Sequence, residues 1–317
     1  MTRVGVVVNP TAGHGRARRT GRQVLEMLTA AGLQVVDLTG DDAQHALARA
    51  RSALDGLAAL VVVGGDGMAH LGVNAIAGTG VALGIVPAGS GNDLARALQL
   101  PIRNPREAVG LIVSGLSRGP RYIDAIASTS PGMSSRVPRW TACVLSAGID
   151  AAVNARANSY RWPAGGGRYV RGVLAELSTF RPYRYRLTID GHSSVQDATL
   201  VALANAPSFG GGMRIAPMAR FDDGVMDVVI GDGLSRDQIL RLLPTVYAGR
   251  HLSHPAVHVH RATQVVIEPA GRPAPPPAFG DGEFLAPLPI SATLRPGAVP
   301  LLALPEQPGA EESPARH

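Results

Sequence analysis

The chain is nearly without cysteine and wholly without lysine. Its single cysteine, Cys143, rules out an intrachain disulfide and any cysteine-based metal cluster. Cys143 lies in the apolar run Ala142-Cys143-Val144-Leu145 and is expected in the core. All 30 basic residues are arginine. Without lysine there can be no Walker-type phosphate loop and no Schiff-base chemistry. A phosphate clamp in this chain must come from Arg, His or backbone N–H groups. No apolar run approaches the roughly 20 residues that span a bilayer. Nothing resembling a leader precedes the strand-like run that begins at Val4, so a cytoplasmic protein is expected.

What is present is a globular composition, with 45% hydrophobic and 17% charged residues in 317. The formal net charge of +6 favours an anionic partner: nucleotide, nucleic acid or acidic lipid. No nucleic-acid-binding motif accompanies it. Between Met133 and Arg186 nine arginines face only Asp150 and Glu176, and both tryptophans fall in the same stretch. Arginine interleaved with Trp and Tyr suits a membrane interface, and equally a solvated surface over an aromatic core.

Hydrophobic periodicity divides the chain. Val4 to Val8 reads as a buried strand, Arg18 to Ala31 as helix, Leu33 to Leu38 as strand and Asp42 to Leu54 as helix. Leu57 to Val63 is a third strand, Ala69 to Ala77 a helix, Gly84 to Val86 a strand and Asn92 to Leu98 a helix. This alternation predicts a doubly wound, mostly parallel α/β domain over residues 1–125. From 126 to 292 strand candidates follow one another with few crossover helices, which predicts an antiparallel, sandwich-like second domain. Residues 293–305 are expected to return to the first domain, and 306–317 to form a disordered tail. Pro273 to Pro277 reads as a rigid insertion.

Two glycine-rich turns carry the chemistry. The third strand runs into Gly64-Gly65-Asp66-Gly67, and the next into Gly89-Ser90-Gly91-Asn92-Asp93; each opens a helix. Such turns at the carboxyl ends of parallel strands let backbone N–H groups reach phosphate, and an acidic residue within them can meet a nucleotide-bound cation. Asn92 and Asp93 also suit plain N-capping.

Taken in order, Asn9-Pro10-Thr11-Ala12-Gly13, the Gly-Gly-Asp-Gly turn, the Gly-Ser-Gly-Asn-Asp turn, Phe221-Asp222-Asp223-Gly224 and Asp281-Gly282-Glu283 resemble the diacylglycerol kinase catalytic family. That family includes bacterial lipid kinases and the sphingosine and ceramide kinases. The resemblance implies an ATP- and Mg²⁺-dependent lipid kinase working at an anionic membrane surface. It would make phosphatidic acid from diacylglycerol, or phosphorylate a ceramide-like or sphingoid alcohol. Asp66 and Asn92 would handle Mg²⁺–ATP, with Asn9, Arg16, Thr39, Gly64, Gly65, Gly67, Gly89 and Ser90 lining the nucleotide site. Glu283 would be the general base, although Asp281-Gly282 alone reads as a hairpin turn. Asp223, with the backbone carbonyls of Arg220 and Val225, would hold a second Mg²⁺ that Asp124 links to the active site. A homodimer is compatible with the family, but no residue pattern here demands one.

The chain departs from the family where Met68 replaces a threonine and where His70 and Leu71 stand near an absent Asn-Glu pair. The first loop lacks a lysine; Arg16 carries the permanent positive charge there. NAD kinase shares the Gly-Gly-Asp-Gly turn but lacks the Ser90 to Asp93 turn in this context. A lipid- or nucleotide-binding regulator without catalysis would be expected to have lost Asp66, Asp124, Asp223 or Glu283. His251, His254, His258 and His260 are expected to be surface histidines without acidic partners.

Overall fold

A computed structural model describes residues 1–9, 16–133, 137–149, 151, 153 and 182–303. Most of the arginine- and aromatic-rich stretch from 133 to 186, the loop around Pro10 to Gly15 and the tail from 304 lie outside the described residues.

The first half alternates strand and helix: β1 (Arg3–Val8), α1 (Arg16–Ala30), β2 (Gln34–Asp37), α2 (Ala43–Ala53), β3 (Ala59–Gly64), α3 (Asp66–Ile76), β4 (Ala82–Pro87), α4 (Asp93–Ala97) and α5 (Pro105–Arg118). β1 pairs in parallel with β2 and β3, and β3 with β4. β3 and β4 are buried along their full length, as their unbroken apolar sequence requires of strands covered on both faces. α1, α5 and part of the sheet enclose a cluster built on Val4, Val6, Leu28, Val61 and Ile112. Truncating a fully buried side chain such as Leu60 to alanine would cost about 2–5 kcal/mol. α5 was not foreseen from the apolar pattern, yet its start is written in sequence: Asn104 accepts from the N–H groups of Arg106 and Glu107, and Pro105 opens the helix.

The second half is antiparallel: β5 (Arg121–Thr129), β6 (Arg139–Thr141), β7 (Val144–Gly148), β8 (Tyr183–Ile189), β9 (His192–Ala204), β10 (Met226–Asp232), α6 (Arg236–Tyr247), β11 (Val257–Ala262), β12 (Gln264–Pro269), β13 (Ala278–Gly280), β14 (Glu283–Ala286) and β15 (Ile290–Leu301). The apolar stretch from Val257 to Ile267 is two strands, β11 on β10 and β12 between β8 and β15. β15 is the seam of the molecule: antiparallel to β12 and β5 along most of its length, it runs parallel to β4 at Leu301–Leu83. The architecture is thus an α/β domain with a parallel sheet joined to an antiparallel, sandwich-like second part. No described helix is long and apolar enough to cross a membrane.

Candidate active site

The two glycine turns meet because β3 and β4 are in register at Gly64 and Pro87. The Ala88 N–H donates to Gly64 O at 2.7 Å, setting the two chains side by side as they leave the sheet. A Cβ on Gly65 would lie 3.1 Å from Gly89 Cα, and one on Gly89 would run into the Gly65 backbone. Glycine is required at both places by backbone proximity rather than by dihedral angle.

Asp66, the first residue of α3, reaches across to cap α4. Its Oδ2 accepts from the Asn92 N–H at 2.9 Å and its Oδ1 from the Asp93 N–H at 2.5 Å. Asn92 takes a left-handed conformation (φ 57°), which asparagine tolerates better than most residues. Its buried side chain closes the turn on itself, accepting from the Gly89 N–H at 3.1 Å and donating to Gly89 O at 2.9 Å. Gly65, the N-cap of α3, brings no capping side chain; in the first turn the Met68 N–H bonds back to Gly65 O at 3.0 Å, and Asp66 and Gly67 present the N–H groups nearest the helix start.

The other nucleotide-side residues stand at the same sheet edge. The Asn9 N–H donates to Val63 O at 3.1 Å, and Thr39 Oγ1 accepts from the Val8 N–H at 3.1 Å. Ser90 is exposed on its turn. Arg16 begins α1, and its side chain lies outside the described residues. Met68 is buried, packed beneath Gly64, so the position where the family carries a hydroxyl is a core position here.

Asp93 joins this turn to the second half of the chain. Both of its oxygens accept from the Gly211 N–H, at 3.0 and 3.1 Å. Burial, and then the neighbouring Asp66 charge, push the Asp93 carboxyl above its ordinary value. The Gly210-Gly211-Gly212 run was not recognised from sequence; three successive glycines, all at positive φ in the structure, were the available signal.

Glu283 arrives from the far end of the chain. It follows the β13–β14 turn, whose two residues Asp281 (φ 52°) and Gly282 (φ 82°) are both left-handed, as a two-residue hairpin requires. The hairpin reading and the approach to the nucleotide side therefore hold together. A Cβ on Gly67 would lie 3.0 Å from Glu283 Oε1, which places this exposed carboxylate over the Gly-Gly-Asp-Gly turn.

Asp124 and Asp223 are placed differently. Asp124 is buried, and its oxygens accept from the N–H groups of Gly224 (2.9 Å) and Gly297 (2.8 Å), so the 220–225 loop wraps around it. Asp223 forms an ion pair with Arg261 and accepts from the Val225 N–H at 3.4 Å, while the Arg220 side chain bonds Asp222. The Arg261 guanidinium already supplies Asp223 with the positive charge that a cation would bring. No group of three or more His, Cys, Asp or Glu side chains able to hold a metal occurs among the described residues. A divalent ion held by Asp223 and the carbonyls of Arg220 and Val225 would have to displace Arg261 from that carboxylate.

The glycine turns fit an incoming Mg²⁺–nucleotide better. Asp66 and Asp93 are close enough for one charge to raise the other's pKa, an arrangement that a shared cation would relieve.

Two histidines correct the sequence reading. His251 is buried, its Nε2 3.1 Å from Ile215 O, and burial lowers its pKa. His258 does have an acidic partner, Asp232, at 3.0 Å.

Beside the site lies a cavity of about 100 Å³ that opens to solvent. Its walls include Leu200, Phe209, Met213, Leu243 and Val246, and are almost wholly apolar. Phe209 and Met213 flank the glycine run that Asp93 holds, so one loop borders both cavity and nucleotide turn.

Two glycine turns at one edge of a parallel sheet, with a carboxylate delivered onto them from an antiparallel second part, define the architecture shared by NAD kinases and diacylglycerol kinases. The chain belongs to the diacylglycerol kinase family, which includes the YegS-like lipid kinases. It matches the diacylglycerol kinase catalytic domain over residues 3–124 and the YegS C-terminal NAD kinase beta sandwich-like domain over 143–303. It is 37% identical over 304 residues to a diacylglycerol kinase of Mycobacterium tuberculosis, covering 95% of this chain and 94% of that one. A YegS-like lipid kinase of Xanthomonas campestris is 28% identical over 237 residues, covering 72% and 74%. The fold is shared with a diacylglycerol kinase from Bacillus anthracis (TM-score 0.68, 20% identity, 96% and 97% covered). It is shared more distantly with yeast NADH kinase (TM-score 0.54, 13% identity, 95% and 82% covered).

Proposed function

We propose that the protein transfers the γ-phosphate of ATP to the hydroxyl of diacylglycerol, giving phosphatidic acid. The observation that carries this reading is the approach of Glu283 to Gly67, beside the Asp66–Asn92–Asp93 cap. Backbone N–H groups at the start of α3 would hold the nucleotide phosphates. Asp66 and Asp93 would hold the Mg²⁺, which when bound offsets the charge on the transferring phosphoryl group. Glu283 would accept the proton of the lipid hydroxyl as its oxygen attacks phosphorus in line. Access to solvent on one side and the turn on the other suit a base that must meet two substrates.

The cavity would take acyl chain, since apart from Thr199 and His251 its lining is apolar. The inner face of α6 supplies Leu242, Leu243 and Val246 to it, while Leu240 and Tyr247 on the outer face, with nearby Met218, are exposed. Arg241 on the same helix, Arg250 just beyond it and Arg214, whose N–H donates to Val246 O, are also exposed. A helix whose outer face mixes Leu240 and Tyr247 with Arg236 and Arg241 suits an anionic membrane surface, from which the lipid would be drawn.

The test is a substrate panel: labelled ATP and Mg²⁺ with diacylglycerol, ceramide and sphingosine in mixed micelles. Phosphatidic acid as the dominant product supports the proposal. Phosphorylation of ceramide or sphingosine instead keeps the lipid kinase and moves its substrate. ATP binding without any lipid product rejects the catalytic reading.

A further inference from the structure

We infer that His70 is a positioning residue for the transfer: through Asp281 it fixes the hairpin that carries Glu283 over the nucleotide turn. The inference rests on Glu283 acting as the base. His70 lies one helical turn beyond Asp66 on α3 and so shares its face. Its Nδ1 is 3.3 Å from Asp281 Oδ2, and the two side chains are only 14% and 11% exposed. The same Asp281 carboxylate accepts from the N–H groups of Ala142 (2.9 Å), Cys143 (2.8 Å) and Val144 (3.2 Å). Three of its partners thus belong to the antiparallel part, and the fourth, His70, to the helix that begins with Asp66.

The ring is itself oriented. The Asp281 carboxylate can only accept, so the proton of this bond sits on Nδ1; Asn74 Nδ2, which donates to His70 O at 3.0 Å and Trp140 O at 2.8 Å, packs 3.1 Å from Nε2. Asn74 is held in that orientation by Trp140, accepting from its N–H at 2.9 Å and donating to its carbonyl at 2.8 Å. A flipped amide would lose both bonds. The tie therefore runs from Trp140 through Asn74 and His70 to Asp281, two residues before Glu283.

Glu283 needs such an anchor. Among the described residues no hydrogen bond holds its carboxylate, and Gly67 beneath it has no side chain to restrain it. Its position over the turn is inherited from the hairpin. A displacement of about 1 Å at a reacting group can cost on the order of a hundredfold in rate.

Two substitutions separate the hydrogen bond from the packing. His70→Phe keeps a planar ring and removes the donor; His70→Asn keeps a donor near the place of Nδ1. His70→Phe is expected to lower kcat by about tenfold or more. KM for ATP and for lipid should stay within about twofold, and His70→Asn should restore most of the loss. Unchanged kcat in His70→Phe, or a loss confined to KM, overturns the inference. Amide hydrogen exchange, measured on the same proteins without substrates, gives a second readout. The 281–285 amides should exchange faster in His70→Phe and as in wild type in His70→Asn. If wild type phosphorylates no lipid alcohol, the kinase reading fails by itself. The exchange result then decides the tie: equal protection in all three proteins would overturn it.

Discussion

In the parallel part of the sheet the candidate groups sit on turns at strand ends, and the backbone holds them: Asp66 bonds two N–H groups, and Asn92 closes on Gly89. In the antiparallel part the corresponding carboxylate, Glu283, stands exposed on a hairpin whose neighbour Asp281 is the anchored residue. The first arrangement gives a pair of closely packed turns that glycine alone permits at Gly65 and Gly89. The second leaves the carboxylate proposed as the base accessible and lets its environment be adjusted through the hairpin. A phosphoryl donor that must be held still, and an acceptor that must enter from a lipid phase, call for those different solutions.

Loss of the rigid side should be the more damaging. Asp66→Ala removes the cap of α4 together with a carboxylate proposed to hold the Mg²⁺ of the nucleotide. Turnover should fall by about a thousandfold, and stability by about 2–3 kcal/mol, read from lipid phosphorylation and denaturant unfolding. Gly89→Ala sets a methyl against the Gly65 backbone, where nothing flexible can yield. Nucleotide affinity should drop about tenfold with a stability loss of about 1–3 kcal/mol, measured by calorimetric titration and thermal melting. On the accepting side, Leu243→Trp narrows the apolar cavity. KM for long-chain diacylglycerol should rise several-fold, while a short-chain analogue is handled nearly as before. Equal effects on both chain lengths would separate the cavity from the lipid.

The smallest effect concerns the residue between the two parts. Burial and the Asp66 charge raise the Asp93 carboxyl above 3.8 in the folded protein. The folded state then binds this proton more tightly than the unfolded chain does. Stability falls as pH rises from the ordinary carboxylate value through the raised one, and the penalty persists above it. Asp93→Asn should flatten that dependence while keeping one acceptor for the Gly211 N–H. Unfolding curves between pH 3.5 and about 7 would test it; an unchanged slope would show that another group carries the effect.

The turns and the alternating first half were legible because the relevant signals are local. Glycine beside Asp66, the β-branched run from Val61 to Val63 and the Asp281-Gly282 pair each declare a conformation within a few residues. The contacts that join the halves were not. Asp93 with Gly211, His70 with Asp281 and Asp223 with Arg261 are separated by 118, 211 and 38 positions. No periodicity encodes such pairings. α5 was missed although Asn104-Pro105 marks its start, since its apolar residues are interrupted by Gly110 and Gly115. His251 reads as superficial because no acidic or Cys partner accompanies it in sequence, whereas tertiary packing buries it.

That the two halves converge on one transfer is tested most directly by Glu283→Gln. ATP binding and phosphatidic acid formation should be measured on the same folded preparation beside wild type. The account predicts nucleotide affinity within about twofold of wild type and product formation reduced by about 10²- to 10⁴-fold. Undiminished phosphatidic acid formation by the variant would contradict it.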